Sequence, residues 1–150
     1  MATQTELDQL SALCLRSKAY WGYDEVFLDA CRKELTVTPD DLSDLMAVTR
    51  ASGNFTGVVQ ISLGKSDSDG NRFGEIEKLF IAPDAMGQGL GQLLFGWSIE
   101  QARRAGTTQL HIDADPGALG FYERMGAVQV GTTPSGSIPG RELPHLRLDI

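Results

Sequence analysis

Apolar residues in the first part of the chain recur at intervals of three and four. Leu7, Leu10, Leu13 and Cys14 line one side of a helix that starts at Thr5-Glu6, and Val26, Phe27, Ala30 and Leu35 line a second, with the break near Gly22. After the polar stretch "TVTPDDLSD" the period changes. In "LMAVTRASGNFTGVVQISLG" two apolar runs flank Ser52-Gly53-Asn54, which predicts a hairpin, and "KSDSDGNRFG" reads as a loop by composition. "EIEKLFIAP" is a strand closed by Pro83. From Leu90 to Ala105 the residues Leu90, Leu93, Leu94, Trp97 and Ala102 mark a helix face, with Gly106 as its stop. "TQLHIDA" is a strand carrying Leu110, Ile112 and Ala114 on one side. Asp115-Pro116 then caps and opens a short helix that ends at Gly126. "AVQVG" and "LPHLRLDI" are two closing strands, separated by a Gly/Pro/Ser loop.

This order is two helices, three strands, helix, strand, helix, two strands. It predicts one α/β or α+β domain over residues 1–150, with a glycine-rich loop between a central strand and the helix that follows it. Such a loop lies where open sheets bind ligands, because a helix start offers unpaired N–H groups and the positive end of its dipole.

Charge narrows the partners. The formal net charge is -7, from 13 Lys+Arg against 20 Asp+Glu, so no nucleic acid and no anionic membrane is expected, since both reward basic patches. A cationic partner fits better. Cys14 and Cys31 form no CxxC and have no accompanying His pair, so neither zinc nor a disulfide framework is expected. The N-terminal stretch lacks a basic segment followed by an apolar run, and no eighteen apolar residues occur together, so a cytoplasmic location is expected.

In "AMGQGLGQLLF", residues 85–95, glycines stand at 87, 89 and 91. A Walker A loop is excluded, because Gln92 follows Gly91 and no lysine is present; G-x-G-x-x-G would need glycine at 92. The residues alone leave two readings, a backbone cradle for phosphates or a tight turn. The surroundings favour the first. "EIEKLFIAPDAMGQGLGQLL", from Glu75 to Leu94, resembles the acetyl-CoA-binding segment of the GNAT-type N-acetyltransferases: a strand ending near Pro, an Arg/Gln-x-x-Gly-x-Gly loop, then a helix. "DPGALGFYERMGA" resembles the family's second signature, with Asp115 three residues before Ala118 and six and seven before Phe121 and Tyr122. The two signatures stand in the family's order. Met86 replaces the usual Arg or Gln, and Asp115 replaces an Asn.

The resemblance implies a single GNAT-like domain, a mixed, mostly antiparallel central sheet flanked by helices, with the first strand truncated. It implies acetyl-CoA as co-substrate, no metal, and a small-molecule or peptide amine as acceptor, and it admits a homodimer. Cofactor contacts carried over are the backbone of Leu79, Phe80 and Ile81 for the pantetheine arm. The loop Met86, Gly87, Gln88, Gly89, Leu90, Gly91 and Gln92 serves the pyrophosphate, mostly through backbone N–H groups. Asp115, Ala118 and Phe121 complete that set. Tyr122 is implied as general acid near the cofactor sulfur, its alternative role being a core aromatic. Glu75 and Glu77 sit two apart on a strand, on one face with Leu79 and Ile81, so that partial burial would raise a carboxylate pKa and suit it to act as base, Glu77 preferred. The aromatic and acidic stretch "SKAYWGYDE" offers Tyr20, Trp21 and Tyr23 to a cationic acceptor, or to the core as anchors. Arg141 is a further acceptor candidate. Arg103 and Arg104 stand a dozen residues along the helix, about 18 Å from the loop, and read as a solvated face. His111 and His145 read as structural. Two other functions stay open at this level: a non-catalytic acyl-CoA sensor and a dinucleotide-binding oxidoreductase domain.

Overall fold

In the computed structural model, which describes residues 2–150, the first helix α1 (Gln4–Ala19) opens on a capping box. The Glu6 N–H donates to Thr3 Oγ1 at 3.2 Å while the Glu6 carboxylate accepts from the Thr3 N–H at 3.1 Å. Leu7, Leu10, Leu13 and Cys14 are buried as their spacing predicts. Helix α2 (Glu25–Leu35) is capped by Asp24 and buries Cys31 and Leu35, whereas Val26 and Ala30, expected on the buried side, are exposed. The two cysteines are free thiols, and burial pushes the Cys14 thiol up to about 12.

Six strands follow: β1 (Leu45–Ala51), β2 (Asn54–Ser66), β3 (Arg72–Ile81), β4 (Gln109–Asp113), β5 (Val128–Pro134) and β6 (Glu142–Asp149). They form one mixed sheet in the order β1-β2-β3-β4-β6-β5, antiparallel except at the β3/β4 junction. The β1/β2 hairpin turns at Ser52-Gly53. The loop expected over residues 65–74 contracts to a turn. Strand pairing runs out to Ser66 and resumes at Arg72, because the Asp67 carboxylate accepts from the Asp69 and Asn71 N–H groups and holds the reversal.

Helix α3 (Leu90–Arg104) covers one face of the sheet. Its buried stripe is Leu94, Phe95, Ser98 and Ala102; Leu93, expected on that stripe, is 61% exposed. Helices α1 and α2 cover the opposite face, where Val58 meets the cluster of Leu7, Leu13 and Cys31. The segment after Asp115 is a 3₁₀ turn, Pro116–Ala118, followed by a six-residue helix α4 (Leu119–Arg124).

Two irregularities of β3 shape the middle of the sheet. Its register against β2 passes from Gln60↔Lys78 to Ile61↔Ile76, so Glu77 is an extra, unpaired residue in a β-bulge. Its parallel pairing with β4 covers only Phe73↔Gln109 to Ile76↔Ile112 and then stops. Beyond that point β4 turns its pairing to β6 alone, and the two central strands part.

Candidate active site

The parting of β3 and β4 leaves a cleft of about 640 Å³. One wall is the edge of β3 from Glu77 to Ile81, which has no strand partner on that side. The other is the end of β4 with the Asp115–Ala118 turn and the Phe121 and Tyr122 side chains. The glycine loop closes one end, where a 3₁₀ turn (Pro83–Ala85) leads into the start of α3.

That loop is shaped by conformations that other residues resist. Gly87 and Gly89 have φ of +80° and +79°, in the left-handed region, and Gly89 is the N-cap of α3. Gly91 is needed for a different reason: a Cβ there would lie 3.1 Å from Phe121 Cε1. Gly89 offers no side chain to cap α3, and no acidic residue stands in the first turn, so the helix's first N–H groups and dipole are left for a ligand's anion. Met86, Gly87, Gly89, Leu90, Gly91 and Gln92 all line the cleft; Gln88 is exposed on the loop.

Tyr122 is buried against Phe95 and Phe121 in edge-to-face contacts, with ring centroids 5.7 and 5.1 Å away. Its hydroxyl makes no hydrogen bond to a described residue and is not sealed in the core; it opens onto the cleft. Burial raises its pKa, so the phenol stays protonated at neutral pH and beyond.

The acids of β3 depart from expectation. Across an antiparallel pair, opposed residues share a face, and the pairs Ser62↔Glu75 and Val59↔Leu79 lie on opposite faces because the bulge intervenes. Glu75 and Glu77 therefore share the α1/α2 face and do not stand with Leu79 and Ile81, which face α3. Glu77 accepts from Ser62 Oγ at 2.6 Å and lies 3.4 Å from Lys65 Nζ, which also holds Glu75. Glu77 lines the cleft, but it is not buried.

Side chains from four separated segments meet at the other end. Asp115 Oδ2 lies 2.5 Å from Lys18 Nζ, accepts from the Tyr23 hydroxyl at 2.8 Å, and lies 3.5 Å from Arg141. The Asp115 Oδ1 also caps the turn by accepting from the Gly117 N–H at 2.8 Å. Arg141 donates to the Tyr23 hydroxyl at 2.8 Å. Burial pushes the Asp115 carboxyl up, but Lys18, the Gly117 N–H and the Tyr23 hydroxyl together outweigh it and hold its pKa low. Tyr23 and Arg141, expected to meet the acceptor, are thus spent on Asp115. Trp21 does reach the cleft, packed over Gly117, where a Cβ would lie 2.8 Å from its Cδ2; Tyr20 lies outside, edge-on to Trp21.

Sequence reasoning missed Lys18, Lys78, Glu34 and Arg124, all of which line the cleft. Lys18, Lys78 and Arg124 stand within the quoted stretches but at positions to which neither signature assigns a side chain, and Glu34 lies outside them. His145 and His111 meet edge to face, with ring centroids 5.2 Å apart, and His145 Nδ1 lies 2.6 Å from Asp113.

Residues 11–127 match the model of the acetyltransferase (GNAT) family. The chain belongs to this family. Over 76 residues it is 33% identical to an uncharacterised N-acetyltransferase, ycf52, of Gracilaria tenuistipitata var. liui. That match covers 51% of this chain and 40% of the relative, so the chain spans well under two thirds of it. Among solved structures, a GCN5-related N-acetyltransferase from Rhodopseudomonas palustris superposes with a TM-score of 0.78 at 18% identity, covering 99% of this chain and 92% of that one. The PaiA N-acetyltransferase of Thermoplasma acidophilum, solved in complex with coenzyme A, gives 0.74 at 13% identity, with 99% and 96% covered. At such identities these neighbours share the GNAT fold. The GNAT match also leaves the dinucleotide-binding reading without support.

Proposed function

We propose that this chain transfers an acetyl group from acetyl-CoA to a primary amine of a small molecule or peptide, by direct attack within a ternary complex. The observation that carries the reading is the cleft itself: an unpartnered strand edge, an uncapped helix start and a free phenol open onto one space. The pyrophosphate is received by N–H groups of Gly87 to Gln92. The pantetheine arm continues the sheet by pairing with the free edge at Leu79, Phe80 and Ile81, flanked by Asp115, Ala118 and Phe121.

Acetyl transfer needs a neutral amine, a stabilised oxyanion and a proton for the departing sulfur. Glu77, with Glu75 beside it, takes the amine's proton through water; its position on the cleft supports this, and Ser62 orients it. A β3 N–H receives the developing oxyanion. Tyr122, protonated and without another partner, donates to the sulfur as the C–S bond breaks. The products are the N-acetylated amine and free coenzyme A. A cytoplasmic, metal-independent enzyme is the matching cellular reading.

Two measurements test it. Acetyl-CoA, and not NADH or ATP, should raise the melting temperature, and thiol should be released from acetyl-CoA in the presence of amines. Stabilisation without thiol release across a broad amine panel would instead make the chain an acyl-CoA sensor.

A further inference from the structure

Lys18 brings a charge to the cleft that the protein satisfies only in part. Its side chain is 13% exposed and its ammonium has three N–H donors, yet it makes one hydrogen bond to a described residue, to Asp115 Oδ2 at 2.5 Å. The Tyr23 and Phe27 rings, stacked with centroids 4.0 Å apart, close another side of the ammonium at 5.4 and 5.9 Å. What is left of its surface lines the cleft. A covered ammonium with unspent N–H groups calls for an oxygen there.

The carboxylate beside it is in the opposite condition. Asp115 Oδ1 accepts from the Gly117 N–H and Oδ2 from Lys18, the Tyr23 hydroxyl lies 3.1 and 2.8 Å from the two oxygens, and Arg141 stands 3.5 Å from Oδ2. With these donors its acceptor sites are filled, and, held ionised, it has no proton to give. Asp115 therefore offers a ligand no donor, although its turn forms the wall across from the free edge of β3. Among the described residues, two other cationic side chains line the cleft, and both are placed elsewhere. Lys78 is engaged with Gln60 and Asp41, at 3.2 and 3.7 Å, and Arg124 lies over Gly120, where a Cβ would be 3.3 Å from its Nη1.

What Lys18 can receive follows from its partner. An anion brought to this ammonium also meets the Asp115 carboxylate that pairs with it, and Arg141, the second cation of the group, does not line the cleft. A neutral carbonyl oxygen meets no such repulsion. Resting on the acetyl-transfer reading, we propose that Lys18 is a cofactor-binding residue, whose ammonium donates to an amide carbonyl of the pantetheine arm where that arm passes the Asp115–Ala118 turn. Asp115 holds the ammonium in place, and Tyr23 and Arg141 in turn hold Asp115. Helix α1 thereby reaches the cofactor, although neither sequence signature includes it.

Calorimetric titration with coenzyme A, and with adenosine 3′,5′-bisphosphate, which lacks the arm, tests this. Lys18→Met should weaken coenzyme A binding about tenfold to a hundredfold and leave the bisphosphate within about twofold. Lys18→Gln, equally uncharged but still an N–H donor, should keep coenzyme A within about threefold of the unaltered protein. If losing its nearest cation leaves Asp115 unable to support the fold, Lys18→Met/Asp115→Ser and Lys18→Gln/Asp115→Ser make the same comparison without the stranded charge, serine keeping the cap of the turn. Unchanged coenzyme A affinity in Lys18→Met overturns the proposal, and so does a parallel loss of the bisphosphate, which marks a structural role alone. Lys18→Gln as weak as Lys18→Met also overturns it, because charge and not a donor then carries the effect. Thiol release from acetyl-CoA by the same proteins separates this contact from the reading it rests on. Lys18-dependent coenzyme A affinity without thiol release across the amine panel keeps the contact and removes the transferase, whereas thiol release with coenzyme A affinity indifferent to Lys18→Met does the reverse. Absence of coenzyme A binding by the unaltered protein removes both.

Discussion

At the α3 end of the cleft, the shape is set by main chain: left-handed Gly87 and Gly89, a helix start without a side-chain cap, and glycine at 91 because Phe121 fills the space above it. At the opposite end it is set by side chains: Lys18 from α1, Tyr23 from the α1/α2 turn, Asp115 after β4 and Arg141 before β6, tied around one carboxylate. The first end depends on local conformation and tolerates changes of neighbouring side chains. The second depends on four distant segments arriving together, so a single charge change there reaches all of them.

The sharpest way to break this contrast is at the point where both ends meet. Tyr122→Phe removes the only polar atom of that ring, and should lower kcat by about a hundredfold or more while leaving acetyl-CoA affinity nearly unchanged. Steady-state thiol release with a separate binding titration checks both halves. Next in size is Asp115→Asn, which keeps a capping side chain but leaves Lys18 and Arg141 facing one another without a carboxylate. A loss of about 1–3 kcal/mol in unfolding free energy is expected, read by urea denaturation. The same substitution should flatten the acid limb of the stability profile. Because the Asp115 pKa is lowered on folding, its contribution is complete above the ordinary carboxylate value of 3.8 and is lost as pH falls through the folded value. The variant has no such loss to show.

Smaller effects are expected at the main-chain end. Gly89→Val forces a branched residue into the left-handed region and should weaken acetyl-CoA binding about tenfold, a cost of about 1–2 kcal/mol. Met86→Ala, by contrast, should change it by less than about twofold, within the ±0.5 kcal/mol usual where no specific contact is lost. Calorimetric titration of both variants ranks them; the reverse order would show that side chains carry phosphate recognition.

The same division explains what was legible in the sequence. Element order, the glycine loop and Tyr122 were readable because local conformation and short motifs encode them. The contents of the far end were not. Lys18 and Asp115 are 97 residues apart, and nothing in either neighbourhood announces the other. Tyr23 and Arg141 were expected at the acceptor from residue type and place in the chain, and neither stretch shows that both also reach Asp115. The placement of Glu75 and Glu77 failed for a different reason: strict alternation assumes an unbroken ladder, and the extra residue at Glu77 reverses the faces beyond it. Leu93 failed because the buried stripe of α3 runs through Leu94, Phe95, Ser98 and Ala102, which turns position 93 outward.

The short β3/β4 junction has a metrical consequence. Pairing ends at Ile76 and the strand ends at Ile81, so the open wedge is the five residues Glu77–Ile81, about 16 Å at the usual rise. A wedge bounded by hydrogen-bonded pairs can only deepen or shorten in whole residues, in steps of about 3.3 Å. The sheet therefore acts as a graduated stop: where the zip between two strands ends determines how far an inserted chain can travel before it meets the chemistry at its base.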